Sequence, residues 1–353
     1  MLSPGIEAPK KSAQKVHGML IKNSLLSPRA KPLRTESEVI FPLSKKPSRA
    51  QLSALKKVPG TKLVRRKFAG RETRPTWKGA LEGKLSDKEM KFAPSSFDSL
   101  GNVAIIEVPD ELKGREKALG SALLEVNKSI KSVFMKTGAH EGVFRAEPVK
   151  FVAGKKTKFA TYKEHGCTFR ISIGEVFFSP RLSTERIRIA RLIGSGENVA
   201  ALFAGVGPFP IVFAKHSQMG GTVAIELNPA AVEDMNHNIG LNKVQGKVEP
   251  ILGDVKALAG DKRFAGKFDR AVMPLPKGGE DFLEDVIRYI KPSGGVVHYY
   301  QFVSRENPFE VPRSQIAAAC EALDRKFEVL LEREVREYAP DIIQVVVDFR
   351  VWG

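Results

Sequence analysis

From Thr168 onward, short apolar runs alternate with segments of helical period. Glu197 to Phe203 is an apolar strand, Pro208 to Ser217 a helix, Thr222 to Leu227 a second strand and Pro229 to Leu241 a second helix. Val248 to Leu252 predicts a third strand and Arg270 to Leu275 a fourth, each followed by a turn and a helical segment. Strands alternating with helices of this length predict a parallel, doubly wound sheet. Upstream the pattern is different. Residues 8–43 hold an amphipathic helix through Val16, Met19, Leu20 and Ile21, then a short strand, Val39 to Pro42. Residues 44–92 are rich in Lys, Arg, Pro and Gly, with Phe68 and Trp77 as isolated apolar anchors. A strand at Val103 to Val108, a stop at Pro109, a helix from about Glu111 to Ile130 and a strand near Val149 to Ala153 mark a separate α/β module.

These patterns divide the chain into a small first domain (1–45), a basic linker or arm (46–92), a second α/β domain (93–165) and a large α/β domain (166–353). A chain of 353 residues with 42% hydrophobic positions has enough apolar material for one large core and two small ones.

Charge adds a partner class. Residues 1–95 hold 22 Lys+Arg against 7 Asp+Glu, a net of +15, whereas the remaining 258 residues carry a net of only +2. A nearly neutral globular part with a basic N-terminal region suits a polyanion. No apolar run approaches the ~20 residues needed to span a bilayer, and Met1 to Lys11 lacks the apolar core of a signal peptide. A cytoplasmic protein with no membrane partner is expected. Two cysteines, Cys167 and Cys320, are too few for a disulfide framework or a cysteine zinc site.

Candidate chemistry begins where the first strand of the large domain ends, in Phe203-Ala-Gly205-Val-Gly207-Pro208-Phe209. Two glycines let the backbone approach a ligand, and Pro208 suits a first helical turn. An ordinary strand-to-helix turn would look the same. Acids sharpen the reading: Glu226 ends the second strand about twenty residues on, where a carboxylate can accept both hydroxyl hydrogens of a ribose. Asp254 ends the third strand at the same edge. A nicotinamide dehydrogenase would show a third glycine where this chain has Pro210, so the set suits S-adenosylmethionine better than a dinucleotide. Either acid alone is more often a helix cap. Just before the sheet, Ser183 or Thr184 can cap a helix whose first turn contains Glu185; a carboxylate favoured by the helix dipole accounts for Glu185 equally well.

Taken together, Phe178-Ser-Pro-Arg-Leu-Ser-Thr-Glu-Arg186, Phe203 to Phe209, Ala224-Ile-Glu-Leu-Asn-Pro229, Asn238-Ile-Gly-Leu-Asn-Lys-Val244 and Val297-His-Tyr-Tyr300 resemble the tRNA (guanine-37, N1) methyltransferases of archaea and eukaryotes. Pro9 to Val16 with Asn23 to Leu26 resembles the start of the archaeal members' small first domain, and Ser96 to Val103 the start of their second. The resemblance implies a Rossmann-like class I S-adenosylmethionine-dependent methyltransferase domain preceded by two smaller domains. It implies transfer of a methyl group to N1 of guanosine 37, 3′ of the anticodon, of tRNA; a monomer is expected. Glu185 falls at the family's general-base position, and Arg145, in Gly142-Val-Phe-Arg-Ala-Glu147, where an arginine would stabilise charge on guanine O6. Phe203, Gly205, Gly207, Glu226, Asp254 and Pro274 fall at cofactor-binding positions; Arg181, Arg186 and Phe177 at substrate-binding ones. The basic N-terminal region would bind the tRNA body through its phosphates.

Three positions depart from the family pattern. Ala201 replaces an acid in the first strand, Pro274-Leu275-Pro276 replaces Asn-Leu-Pro after the fourth, and Phe177 replaces a tyrosine, keeping stacking but losing a hydroxyl. Two other functions fit many of the same residues. One is a wyosine-pathway transferase, moving a methyl or aminocarboxypropyl group at the same nucleotide. The other is a non-catalytic RNA-binding homologue.

Overall fold

The computed structural model describes residues 2–28, 30–70, 76–138 and 147–353. The chain divides into two units, Met1–Thr76 and Trp77–Gly353.

In the first unit, β1 (Ser3–Pro9), α1 (Ala13–Lys22), β2 (Leu33–Arg34), β3 (Glu38–Pro42), α2 (Arg49–Lys56) and β4 (Lys62–Arg66) form an antiparallel sheet of order β2-β3-β1-β4 with two helices. The helix expected around Val16 is α1, which buries Val16 and Leu20, four residues apart on one face, against Ile6, Ala8, Val39 and Phe41. The stretch expected as a basic linker, 46–92, is corrected by the structure. Its first part completes this unit. Ser48 and Gln51 form a reciprocal capping box at the start of α2, a device worth about 1 kcal/mol. β4 pairs with β1, and its Lys62 meets the buried carboxylate of Glu7 at 2.6 Å. The sequence pattern hid β4 because an edge strand keeps its lysines and arginines in water.

The second unit begins with α3 (Trp77–Ala80), β5 (Asp98–Leu100), β6 (Val103–Ile106), α4 (Glu116–Val126), β7 (Ser132–Lys136) and β8 (Val149–Gly154). Here the last part of the supposed linker is again structural: Trp77 is buried with Leu81 and Leu85, and its indole N–H donates to the Leu119 carbonyl at 2.9 Å. The helix expected from Glu111 to Ile130 is shorter, because Lys113 leaves helical geometry (ψ 132°) between a 3₁₀ turn and α4.

The hairpin β9 (Phe159–Glu164) and β10 (Cys167–Ser172) leads into the large sheet. Its elements are α5 (Ser183–Leu192), β11 (Asn198–Leu202), α6 (Pro208–His216), β12 (Gly221–Glu226), α7 (Pro229–Asn242), β13 (Val248–Leu252), α8 (Val255–Ala259), β14 (Arg270–Met273), α9 (Leu283–Tyr289), β15 (Gly295–Ser304), α10 (Glu310–Ala322), β16 (Lys326–Ala339) and β17 (Ile342–Trp352). The strand order is β13-β12-β11-β14-β15-β17-β16. The expected Rossmann-like α/β architecture is present. The first five strands in this order are parallel, and β17 and β16 add an antiparallel edge that the sequence pattern did not separate.

Side chains alternate between two cores. Val199, Ala201, Val272, Tyr300 and Val346 face α5, α6 and α7; Ala200, Leu202, Met273, Tyr299 and Val347 face α8, α9 and α10. Chain order reverses between β11 and β14, so a crevice opens at their carboxyl ends, where ligands of open α/β sheets bind.

Candidate active site

At that crevice the chain turns sharply. Phe203, Gly205 and Gly207 all have positive φ (53°, 56° and 85°), and Gly207 is the residue before α6, with Pro208 in its first turn. A non-glycine residue in this region is unusual and signals backbone held by its surroundings. The Phe203 ring packs edge-on against Phe282 at 4.9 Å. Glu226, half-buried at the end of β12, accepts the N–H of Gly205 at one oxygen and of Asn228 at the other, both at 2.8 Å. Each oxygen keeps a further lone pair, enough to receive two hydroxyl hydrogens. Asp254 accepts the Lys256 N–H at 2.9 Å and caps α8. Beside these acids, Leu227 and Leu252 stand exposed at the same edge. Neither leucine was singled out in the sequence. Pro274 follows β14 directly.

The Asn238-to-Asn242 motif acts from one face of α7. Asp234, Asn238 and Asn242 accept the backbone N–H groups of β10 at Ser172, Arg170 and Thr168, and Asn238 also donates to the Val206 carbonyl at 3.0 Å. These side chains tie the hairpin and the glycine turn to one rigid helix.

The segment before α5 lies against the turn: the Phe177 carbonyl is 3.7 Å from where a Cβ on Gly205 would stand. Phe177 is exposed there. α5 starts at Ser183 itself rather than after a Ser or Thr cap, and the Ser183 hydroxyl engages His165 at 2.9 Å instead. Glu185 is only 1% exposed. Its Oε2 accepts from Tyr300 Oη at 2.8 Å and from Arg188 Nε at 2.9 Å. Its Oε1 lies 3.2 Å from Arg333 Nη1 but accepts no hydrogen bond from the described residues. The Tyr300 ring is 6.5 Å from that of Phe209, two residues beyond Gly207, so the partner of Glu185 lies beside the first turn of α6.

Of the expected substrate contacts, Arg181 is exposed and pairs loosely with Asp98 at 3.5 Å. Arg186 is not a surface contact. It is buried, clasps Glu164 through Nε and Nη2 at 2.5 and 2.7 Å, reaches the Ser179 carbonyl, and lies over Phe178 and Phe209. A phosphate would have to displace this ion pair, so the reading of Arg186 as a substrate contact is corrected to a structural one. Arg145 lies outside the described residues.

Behind Glu185 runs a buried polar chain absent from the sequence reading. Arg188 Nη1 meets Asp348 Oδ2 at 2.6 Å; Asp348 Oδ1 accepts from His298 Nδ1 at 2.6 Å; His298 Nε2 accepts from Arg270 Nη1 at 2.8 Å; Arg270 Nε reaches Glu197 at 2.8 Å. Because Arg270 can only donate, His298 carries its proton on Nδ1 and is neutral. Burial holds the His298 pKa down, against the opposing pull of Asp348. Burial raises the Asp348 carboxyl, but His298 and Arg188 outweigh it and leave it at about 2. Desolvation, with the Glu185 charge beside it, drives the Tyr300 phenol well above its ordinary range, so it remains a donor. Val297 to Tyr300 was visible as a motif, but Asp348 and Arg333 come from strands whose pairing the sequence did not reveal.

Three family models match the chain: the TRM5/TYW2 methyltransferase domain over residues 160–330, the TYW2 N-terminal domain over 77–157 and the tRNA methyltransferase 5 N-terminal domain over 5–51. The tRNA (guanine(37)-N(1))-methyltransferase Trm5b of Pyrococcus abyssi is 41% identical over 261 residues, covering 74% of this chain and 76% of its own. The crystal structure of Pyrococcus abyssi Trm5b superposes with a TM-score of 0.72 at 33% identity, covering 99% of this chain and all of that one. A complex of aTrm5 with tRNALeu gives a TM-score of 0.67 at 27% identity, covering 98% and 99%. Methanocaldococcus jannaschii TYW2 with AdoMet gives 0.57 at 27%, covering 73% of this chain and 99% of that one.

Proposed function

This chain belongs to the TRM5/TYW2 methyltransferase family, and from that premise we infer that it methylates N1 of guanosine 37 in tRNA, using S-adenosylmethionine. Residues of the crevice fit that cofactor. The positive-φ turn at Gly205 and Gly207 lets backbone approach, Glu226 has two lone pairs left for the ribose hydroxyls, and Leu227 and Leu252 flank a space for adenine. Asp254, Phe203 and Pro274 complete its walls. When bound, S-adenosylmethionine supplies a methyl group already activated as part of a sulfonium cation.

The observation that carries the reading is the asymmetry of Glu185. Oε2 is held by two donors, while buried Oε1 accepts no hydrogen bond among the described residues. A fixed carboxylate with one oxygen left to accept is a general base for a ring N–H. Glu185 Oε1 takes the N1 proton of guanine, leaving the nitrogen lone pair free to attack. Arg333, beside Oε1, offsets the negative charge of guanine as the proton leaves, a role shared with Arg145. Phe177 stacks on the base, and Arg181 holds a phosphate.

The basic N-terminal region binds the tRNA body through phosphates, supported by its net charge of +15 and by the tRNALeu complex of aTrm5. We place the boundary of that first domain at Thr76, with the second domain running from Trp77 to the start of the β9–β10 hairpin. No helix among the described residues is long and apolar enough to cross a membrane. The enzyme works in the cytoplasm as a monomer.

The match of residues 5–51 to the tRNA methyltransferase 5 N-terminal domain favours guanine N1. The match of 77–157 to the TYW2 N-terminal domain is the observation behind the second reading, a transferase acting on a wyosine precursor. Incubation with labelled S-adenosylmethionine and tRNA transcripts carrying guanine or adenine at position 37 separates them. The expected product is 1-methylguanosine from the guanine transcript alone, lost in Glu185→Gln while cofactor and tRNA affinity persist. Label appearing as an aminocarboxypropyl group, or full turnover by Glu185→Gln, would overturn the assignment.

A further inference from the structure

The sheet face that holds Glu185 continues past it. Strand register sets Tyr300, Val346 and Arg333 in one row across β15, β17 and β16, and sets Phe302, Gln344 and Arg336 in the next row outward on the same face. Tyr300 and Arg333 of the first row reach the two oxygens of Glu185. The second row is therefore one pleat beyond the reacting carboxylate, a step of about 7 Å.

That second row is built unlike a structural corner. A register shift on either side of Arg336 lifts Tyr338 out of the ladder, and its ring stacks on Phe302 at 4.1 Å and 30°. Tyr338 is 57% exposed, so one ring of the pair is reachable from solvent. The Arg336 guanidinium lies 5.8 and 5.7 Å from the two rings, with its Nε donating to Gln344 Oε1 at 2.7 Å. Two donors in the row, Arg336 Nη1 and Gln344 Nε2, are buried and have no acceptor among the described residues. Unsatisfied buried donors cost free energy until an acceptor arrives. Burial, and then the positive charge of Arg181 in the 3₁₀ turn that precedes the Glu185 helix, lower the Arg336 pKa. The nearest acid on this strand, Glu337, is taken up by Arg305 at 3.0 Å.

We propose that Tyr338, Phe302, Arg336 and Gln344 form a second nucleotide subsite, which stacks the base of the nucleotide next to the target guanosine and binds its phosphate or base-edge acceptors. The proposal rests on the RNA methylation assigned above. The exposed Tyr338 ring, backed by Phe302, supplies a sequence-tolerant stacking platform, and the unsatisfied donors supply the acceptor-seeking groups that a protein-facing apolar patch lacks. Holding the neighbouring base keeps the loop splayed, so the target base can leave the stack and reach Glu185.

The test uses the full chain and an anticodon stem-loop RNA, with affinity measured by fluorescence anisotropy. Tyr338→Ala should weaken binding roughly 10-fold, Tyr338→Phe should bind as wild type, and S-adenosylmethionine affinity should not change. With a stem-loop made abasic at one of the two neighbours of the target, wild type and Tyr338→Ala should bind equally, because the stacking partner is gone. Arg336→Ala should weaken the intact stem-loop and lower its salt dependence. Wild-type binding by Tyr338→Ala overturns the subsite, and leaves this face to a protein partner or to none. Failure of the wild-type enzyme to bind or methylate the stem-loop would instead remove the RNA-methylation reading, and the subsite with it.

Discussion

The phenol of Tyr300 donates to Oε2 of Glu185 at 2.8 Å, joining the middle of β15 to the first turn of a helix 115 residues earlier. Tyr300→Phe releases that oxygen from its fixed position, so kcat should fall roughly 10-fold at neutral pH while S-adenosylmethionine affinity is unchanged. An unchanged kcat would remove Tyr300 from the positioning of the base.

Arg188 bridges Glu185 and Asp348, and all three lie largely out of water. Breaking one side of a buried pair costs about 3–5 kcal/mol, because the other charge is stranded. Arg188→Gln should lower Tm sharply, and Arg188→Gln combined with Asp348→Asn should recover part of the loss. Denaturant melts of the two single variants and the double variant give the coupling; additive losses would contradict the bridge.

Gly207 combines φ 85° with a would-be Cβ only 2.9 Å from Met235. Gly207→Ala should cost about 1–3 kcal/mol of stability through the strained backbone and weaken S-adenosylmethionine binding. Glu226→Ala should weaken cofactor binding as well, because both its backbone anchors at Gly205 and Asn228 are released. Calorimetric titration reads both, and an unchanged Kd in both variants would move the cofactor elsewhere.

His298 is neutral and fully enclosed, with its pKa lowered by burial. The unfolded chain binds its proton near pH 6.5, so stability is present above that pH and falls as pH drops below it. Asp348 adds a second loss, setting in below its unfolded value and ending near its folded value of about 2. The Tm of the enzyme should drop between pH 7 and pH 5, and His298→Gln should flatten that slope. A slope equal in both would assign the pH dependence to other groups.

Two arginines five residues apart should behave oppositely. Arg181→Ala, at an exposed site, should leave Tm unchanged and reduce the salt slope of tRNA binding by about one. Arg186→Gln, which strands buried Glu164, should lower Tm without a specific change in the salt slope. Reversed outcomes would return Arg186 to the RNA surface.

Local pattern was enough for the strands and helices from Asn198 to Met273, because a parallel sheet buried on both faces writes itself as apolar runs spaced by helices. It was also enough for the turn Phe203 to Pro208 and the acid at Glu226, since backbone conformation and strand-end position are properties of neighbouring residues. Pairing between distant segments was decided only in three dimensions. β4 and Trp77 looked like linker because edge strands and single anchors carry no period. Arg186 looked like a free cation until Glu164, from a hairpin, closed on it. Asp348, His298 and Arg333 reach Glu185 through antiparallel strands whose register depends on the packing of both cores. The sequence by itself determined which residues could do chemistry; the fold decided which of them are held, because electrostatic partners act over a few ångströms of space, whatever their separation along the chain.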